Sequence, residues 1–224
     1  MRVLLVSATD FEITATTAWL NNHSGNSNSL KHKWLISGIG QLQTTYSLQN
    51  QIHLERPDLV IQAGIGGATD QEEMGAVYTI GSERIADLGV MEKAGFSDVF
   101  IMGLDNPDRF PFEQGKLKNP YHHLLTWSGL VVLDGMTVNE IKSNDFAGFQ
   151  RNRSPIVESM EGAALHYVCL MEKIPFLQIR AISNRLGERD KTQWKLKDAI
   201  TNLNDTLVHL IQKLEKADET LFRI

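Results

Sequence analysis

An α/β fold, with a largely parallel or mixed sheet carrying helices on its faces, is what this sequence predicts, and three observations predict it. Short apolar runs alternate with longer segments of helical period along the chain. One run, Ile174-Pro175-Phe176-Leu177-Gln178-Ile179, is led by a proline and ends abruptly in Arg180-Ala181-Ile182-Ser183-Asn184, as a buried parallel strand does. The chain closes with an amphipathic segment, Asp198 to Leu214, in which Ile200, Leu203, Leu207, Leu210, Ile211 and Leu214 fall at i, i+3, i+4 spacing.

The elements follow in order. Arg2 to Val6 reads as a strand and Phe11 to Leu20 as a helix. Trp34 to Ile36 is strand-like, and Gln41 to Leu54 has helical character. Pro57-Asp58 introduces a strand over Leu59 to Ala63, and Val77 to Ala86 is β-branched with little helical period. Leu130 to Leu133 and Ile156-Val157 are short strands, the second followed by a helix from about Gly162 to Glu172. Phe176 to Ala181 is the last strand. Gly103 to His123, rich in Pro, Asp and aromatic residues, has no regular period; a loop of that length is a lid, an interface segment or mobile. Neither a low-complexity linker nor an internal repeat divides the chain, so one domain over 1–224 is expected.

Composition narrows the function. Hydrophobic residues at 42% and charged residues at 22% are an ordinary globular mix. A net charge of -5 argues against nucleic acid as a partner. The single cysteine, Cys169, excludes an internal disulfide and sits in an apolar helical stretch. The first residues lack a signal pattern and no apolar run approaches membrane-spanning length, so a cytoplasmic protein without membrane contact is expected. His122 and His123 are adjacent and cannot both face one ion from a regular element, so no metal is expected. The glycine clusters Ser37-Gly38-Ile39-Gly40 and Gly64-Ile65-Gly66-Gly67 lack the spacing of a P-loop or a dinucleotide fingerprint, and no cofactor is expected.

Three polar residues share one context: Glu12, Glu161 and Asn184 each follow a buried-looking strand within a few positions. In open α/β sheets ligands sit outside the carboxyl ends of strands. If these strands are parallel neighbours, two carboxylates and an amide emerge at one sheet edge and suit acid–base work on a neutral, polyol-bearing ligand. Each has a plainer explanation. Thr9-Asp10-Phe11-Glu12 matches a capping box. Glu161 stands in a first helical turn, where the dipole favours a carboxylate. Asn184 could close a turn before Gly187.

The motifs Ser37-Gly38-Ile39-Gly40, Gly64-Ile65-Gly66-Gly67, Ser159-Met160-Glu161-Gly162-Ala163 and Arg180-Ala181-Ile182-Ser183-Asn184 occur in the order seen in purine nucleosidases and nucleoside phosphorylases, and the chain resembles that family over nearly its whole length. The segment Asn184-Arg185-Leu186-Gly187-Glu188-Arg189-Asp190, with Trp194 beyond it, is similar to the futalosine hydrolase branch in particular. The resemblance implies a three-layer α/β sandwich around a mixed, partly barrel-like sheet, a homodimer, and a purine nucleoside as the small-molecule ligand. It implies that Glu161 holds the ribose hydroxyls with Met160 against the sugar, and that Glu12 activates water. Asn184 would bind the purine at N7 and its 6-substituent, supported by Ser183 and Arg180. Val138 and Asn139 would line the base pocket; Gly66 and Ala8 would lie near sugar and water; Ser159 belongs to the Met160-Glu161 motif.

The chain also departs from relatives. Adenosine-type nucleosidases carry an aspartate where Asn184 stands. An asparagine NH₂ donates to N7 and to a 6-oxo group, and meets a donor on adenine, so hypoxanthine-bearing substrates are favoured. Phosphorylases carry an arginine where this chain reads Ile61-Gln62-Ala63, so water rather than phosphate is favoured as nucleophile. The expected activity is hydrolysis of futalosine to hypoxanthine and dehypoxanthine futalosine, in menaquinone biosynthesis. The alternatives are a methylthioadenosine/adenosylhomocysteine nucleosidase and a non-catalytic nucleoside-binding protein. Futalosine's benzoate end calls for a donor and an apolar wall; Arg185, Arg189 and Trp194 stand near the right motif, though Arg185 to Asp190 is also what a solvated loop looks like. The apolar residues between Phe96 and Phe112 are more than a solvated loop needs and mark an expected two-fold interface.

Overall fold

A computed structural model describes residues 1–23, 30–93, 95–142, 156–217 and 221. In chain order the elements are β1 (Arg2–Ser7), α1 (Asp10–His23), β2 (Lys31–Ile36), α2 (Gln41–Leu54), β3 (Leu59–Ala68), β4 (Val77–Glu83), β5 (Gly89–Glu92), β6 (Gly95–Asp98), β7 (Leu117–Lys118), α3 (His122–Ser128), β8 (Val132–Thr137), β9 (Ile156–Ser159), α4 (Gly162–Glu172), β10 (Phe176–Arg185) and α5 (Leu196–Leu214).

The class is the expected one, a mixed sheet between helices. Its order is β10-β4-β8-β9-β3-β1-β2, and β10 also pairs with β3. That second pairing closes β3, β9, β8, β4 and β10 into a ring, with β1 and β2 extending from it, which is the partly barrel-like form. Pairing is parallel for β1 with β2 and β3, for β10 with β3, and for β8 with β4 and β9. It is antiparallel for β10 with β4 and for β3 with β9.

Helix α1 packs against α5, and α2 against α4. The face of α5 read from its periodicity is the buried one: Leu203, Leu207, Leu210, Ile211 and Leu214 join the main core with Leu5, Ile61, Leu177 and Ile179. A second cluster, Ala68, Ile80, Val157 and Ile182, fills the ring, and a third, Met136, Val138 and Leu186, lies beside it. None of the described helices is long and apolar enough to cross a membrane.

Several boundaries differ from the sequence reading. β3 and β10 run on through Ala68 and Arg185, because ring closure keeps pairing their polar ends. The strand read at Leu130 to Leu133 lies at Val132–Thr137, and the one read at Val77 to Ala86 ends at Glu83. The irregular stretch from Gly103 ends in β7 and the start of α3, and a β5–β6 hairpin precedes it. The condition that the strands before Glu12, Glu161 and Asn184 be parallel neighbours does not hold, since β9 runs against β3.

Candidate functional site

The antiparallel course of β9 is what carries Glu161 to the site. Glu158 pairs with Gly67, so the chain beyond Ser159 travels back along β3 toward Gly64. Glu161 is the N-cap residue of α4 and is 6% exposed. Its Oε1 accepts from Gly40 N at 3.0 Å, which brings in the first glycine cluster, and its Oε2 lies 3.6 Å from Arg180 Nη2. Arg180 is itself 1% exposed, and the same Nη2 donates to Gln62 Oε1 at 2.8 Å. Gln62, within the Ile61-Gln62-Ala63 stretch, thereby holds the buried Arg180 on the Glu161 carboxylate.

Glu12 arrives from β1 and α1. The capping-box reading is half realised: Thr9 N donates to Glu12 Oε2 at 3.1 Å, as a capping box requires. The carboxylate does more than cap. Ser7 Oγ at 2.9 Å and Thr9 Oγ1 at 3.1 Å also donate to Oε2, while Ile65 N donates to Oε1 at 3.1 Å. Glu12 thereby bridges the ends of β1 and β3. Oε2 is filled by donors, whereas Oε1 keeps acceptor capacity for a further partner.

Gly64 explains why these groups can meet. A Cβ there would lie 2.4 Å from Arg180 Nη1 and 2.9 Å from Glu12 Oε1. The absent side chain is the space into which the Glu12 oxygen and the arginine converge. Gly162 does the same beneath α4, where a Cβ would fall 1.9 Å from Glu83 Oε1.

Asn184 stands on the other face of β3. Alternation along the strand turns Gly67 away from the Gly64 side, and a Cβ on Gly67 would lie 3.1 Å from Asn184 Nδ2 and 3.4 Å from Leu186 Cδ2. Asn184 Nδ2 donates to Arg185 O at 2.8 Å. A carbonyl oxygen only accepts, so this bond fixes which end of the amide is NH₂. Ser183 Oγ donates to Asn184 Oδ1 at 2.8 Å. One amide N–H remains, beside the space over Gly67. The turn reading for Asn184 is superseded, since it lies within β10, after a register shift at Ile182.

The remaining residues divide. Ala8 and Met160 are half-buried near Glu12 and Glu161. Ser159 Oγ accepts from Gly162 N at 3.2 Å and so supports the start of α4. Val138 is buried, and the exposed Asn139 is tied through Nδ2 to Asp87 Oδ1 at 3.1 Å. Gly66 contributes a carbonyl that Ser183 Oγ reaches at 3.3 Å. Arg185 donates to Thr69 O at 2.8 Å and also to Glu72 O, which commits its guanidinium to the loop after β3. Arg189 is exposed and stacks over Trp194, 5.9 Å from the ring centre.

Three residues escaped the sequence reading. Asn204 of α5 donates to Glu12 O at 2.9 Å and accepts from Thr16 N at 2.8 Å, so it locks α1 in place; an asparagine on an apolar helical face was the available signal. Glu83, wholly buried, accepts from Gln178 Nε2 and Thr137 Oγ1, and burial pushes its carboxyl up to about 7. Glu158 is 7% exposed, and burial pushes it too up to about 7, with Arg189 opposing and Asp87 adding to the shift.

The chain is 29% identical to futalosine hydrolase of Streptomyces coelicolor over 70% of its length and 67% of that protein. It is 25% identical to futalosine hydrolase of Acidothermus cellulolyticus over 92% and 89%. It is also 22% identical to 5′-methylthioadenosine/S-adenosylhomocysteine nucleosidase of Psychromonas ingrahamii over 87% and 90%. Among solved structures, the Helicobacter pylori 5′-methylthioadenosine/S-adenosylhomocysteine nucleosidase superposes with a TM-score of 0.73 at 13% identity, covering 95% of this chain and 98% of that one, which establishes the shared fold. Residues 34–214 match the Phosphorylase superfamily, and the chain belongs to that family.

Proposed function

We propose that this protein is a purine nucleosidase that hydrolyses the N-glycosidic bond of futalosine, releasing hypoxanthine and dehypoxanthine futalosine. The observation that carries the reading is Glu12: a buried carboxylate, oriented by Ser7, Thr9 and Ile65, with one oxygen open beside Arg180 and Glu161. Such an oxygen can orient a water and take its proton. Glu161 would hold the ribose hydroxyls, its position set by Gly40 N and Arg180, with Met160 against the sugar. The paired carboxylates would also stabilise the positive charge of a ribosyl oxocarbenium transition state.

Base choice rests on Asn184. One of its two N–H groups is taken by Arg185 O, and the other is left for the base, where it can donate to the 6-oxo group of hypoxanthine but meets a donor at the 6-amino group of adenine. Futalosine hydrolases at 25–29% identity support the same choice. The alternative, release of adenine from methylthioadenosine or adenosylhomocysteine, has the support of relatives at 22–26% identity and lacks an acid at position 184. The menaquinone pathway and a cytoplasmic location follow from the futalosine reading. A homodimer is supported by exposed apolar side chains between Leu88 and Phe110, including Met91, Ile101, Leu104 and Phe110.

The deciding experiment is incubation with futalosine, inosine and methylthioadenosine, with the released base identified by chromatography. Hypoxanthine from futalosine at a kcat/KM well above that for inosine is expected. Adenine release from methylthioadenosine as the faster reaction would transfer the protein to the alternative, and no base from any of them would leave a nucleoside-binding protein.

A further inference from the structure

The reading above leaves the departing base without a proton donor. Asn184 is an amide and holds no proton it can surrender at neutral pH. Futalosine hydrolysis at C1′ places an electron pair on the purine, and hypoxanthine is a poor leaving group as an anion. The question is which other group on the Gly67 face can supply the proton.

Glu158 is placed to do so. It pairs with Gly67 on one side of β3, and Asn184 pairs with Gly67 on the other. Directly paired residues project to the same face of a sheet, so the two side chains flank a residue that has none. Neighbouring strands lie about 4.8 Å apart, which sets Glu158 and Asn184 roughly 10 Å from one another at their Cα atoms. Leu186 and Met136 border the same space: Leu186 lies within van der Waals reach of Gly67, and Met136 pairs with Glu158. Among the described residues no hydrogen bond reaches the Glu158 carboxyl, although it is 7% exposed. Its oxygens are not among the fully occluded atoms without a partner, so they keep contact with solvent, which a ligand entering the Gly67 space can take over.

We propose that Glu158 is the acid of this site: it touches the leaving purine from the side opposite Asn184 and delivers the proton that an amide cannot. The inference rests on the nucleosidase reading. As the C1′–N9 bond breaks, its electron pair passes to the base and the Glu158 proton goes to a ring nitrogen. Water forms the new C1′–O bond and its proton goes to Glu12. One water is consumed for each bond cleaved, and exchange with solvent returns Glu12 and Glu158 to their starting states.

The surroundings of Glu158 favour the protonated form. The charged groups that face it are Arg189, from the loop after β10, and Asp87, from the loop after β4; Arg84 reaches the neighbouring Met136 sulfur at 3.6 Å, and β3 contributes only Gly67. Burial outweighs Arg189 and holds the carboxyl up at about 7. An acid must carry its proton to act, so kcat falls as pH rises through that value.

The test compares pH profiles of kcat for wild type, Glu158→Gln and Glu158→Asp on futalosine, with hypoxanthine binding measured by calorimetry. Glu158→Gln should lower kcat by about 10²–10⁴-fold, abolish the high-pH fall, and leave hypoxanthine binding within a few-fold. Glu158→Asp should recover part of kcat and retain a high-pH fall, and it carries the test alone if Glu158→Gln does not fold. A purely structural role would lower thermal stability and leave the shape of the profile unchanged. The proposal is overturned if wild type is active and Glu158→Gln keeps kcat within threefold. It is also overturned if activity rises through pH 7 in a Glu158-dependent way, for then the carboxylate accepts from the base. If wild type cleaves inosine or methylthioadenosine instead of futalosine, the substrate reading fails and the same variants are compared on that nucleoside. If it cleaves none, no base departs and both fall.

Discussion

Glu12 and Glu158 are buried to nearly the same degree, 6% and 7% exposed, at the same end of the same sheet, yet their settings are opposite. Glu12 is clasped by two hydroxyls and two backbone amides from β1, the α1 cap and β3. Glu158 faces two distant charges of opposite sign and, among the described residues, no hydrogen-bond donor. Burial alone therefore does not decide what a carboxyl does. The donors around Glu12 fix its direction and leave one oxygen open, as a base that aligns water needs. Their absence around Glu158 favours the acid form and leaves the group to be completed by something else. One sheet end can thus hold a proton acceptor and a proton donor on opposite faces of a glycine-lined strand.

The largest effect should come from breaking the Glu12 side. Glu12→Gln should cut turnover of futalosine by about 10²–10⁴-fold while binding of hypoxanthine persists, since only the base is removed. Near wild-type kcat would reduce Glu12 to its capping role. A third buried carboxyl sharpens the comparison. Glu83 has donors and is still raised from 4.5 to about 7, because its burial is complete. Between those values the folded protein keeps a proton that the unfolded chain has lost, so the stability from this group is full below pH 4.5 and disappears by about pH 7. His166, lowered by burial from 6.5 to about 4, slopes the other way, so the difference between wild type and Glu83→Gln isolates the Glu83 contribution. Denaturant titrations at pH 5 and pH 8 should show wild type losing on the order of a few kcal/mol more than Glu83→Gln on going up in pH.

The glycines beneath the two faces give a direct contrast. Gly64→Ala drives a Cβ to 2.4 Å from Arg180 Nη1 and should cost about 1–3 kcal/mol by overpacking, with a matching loss of activity. Gly67→Ala meets Asn184 only at 3.1 Å and should change stability less, while raising KM by filling the space beside the base. Equal effects on kcat and KM from both would argue against separate faces. The smallest effect concerns the arginines. Arg189→Ala removes the cation that opposes the Glu158 shift and should move the high-pH fall of kcat slightly upward, and it should raise KM for futalosine more than for inosine. Arg185→Ala should leave that fall in place and instead loosen the loop at Thr69 and Glu72, seen as faster amide exchange there.

Much of this was legible in the chain. Helices Gln41–Leu54 and Gly162–Glu172 lie at the bounds expected from the sequence, although α2 buries Thr44 and Gln51 beside Leu48 and Ile52 and leaves Leu42 and Leu54 exposed. The convergence of Glu12 with Glu161 was expected, but for a reason that fails: parallel strands were assumed, and the reversal of β9 does the work. Strand direction is set by a pairing between distant segments, Gly67 with Glu158, which no local pattern encodes. Glu158 passed unnoticed for a similar cause. In sequence it is one acidic residue before Ser159-Met160-Glu161, and only the Gly67 register shows that it faces Asn184. The hairpin β5–β6 was unreadable because its exposed residues alternate with no buried face.

The double pairing of β10 has a further consequence for how copies of this molecule can meet. A sheet rolled upon itself offers few unpaired strand flanks to another chain, and among the described residues the main strand path ends in β2, with the short β5, β6 and β7 lying off that path. Strand β2 begins Lys31-His32-Lys33, with both lysines exposed. Adding a strand there from a second molecule would bring like charges together, a device by which sheet proteins resist fibrous growth. Association through side chains of the Leu88–Phe110 stretch would avoid that flank, so oligomers of this protein should stay finite and should not stain as cross-β fibrils on prolonged concentration.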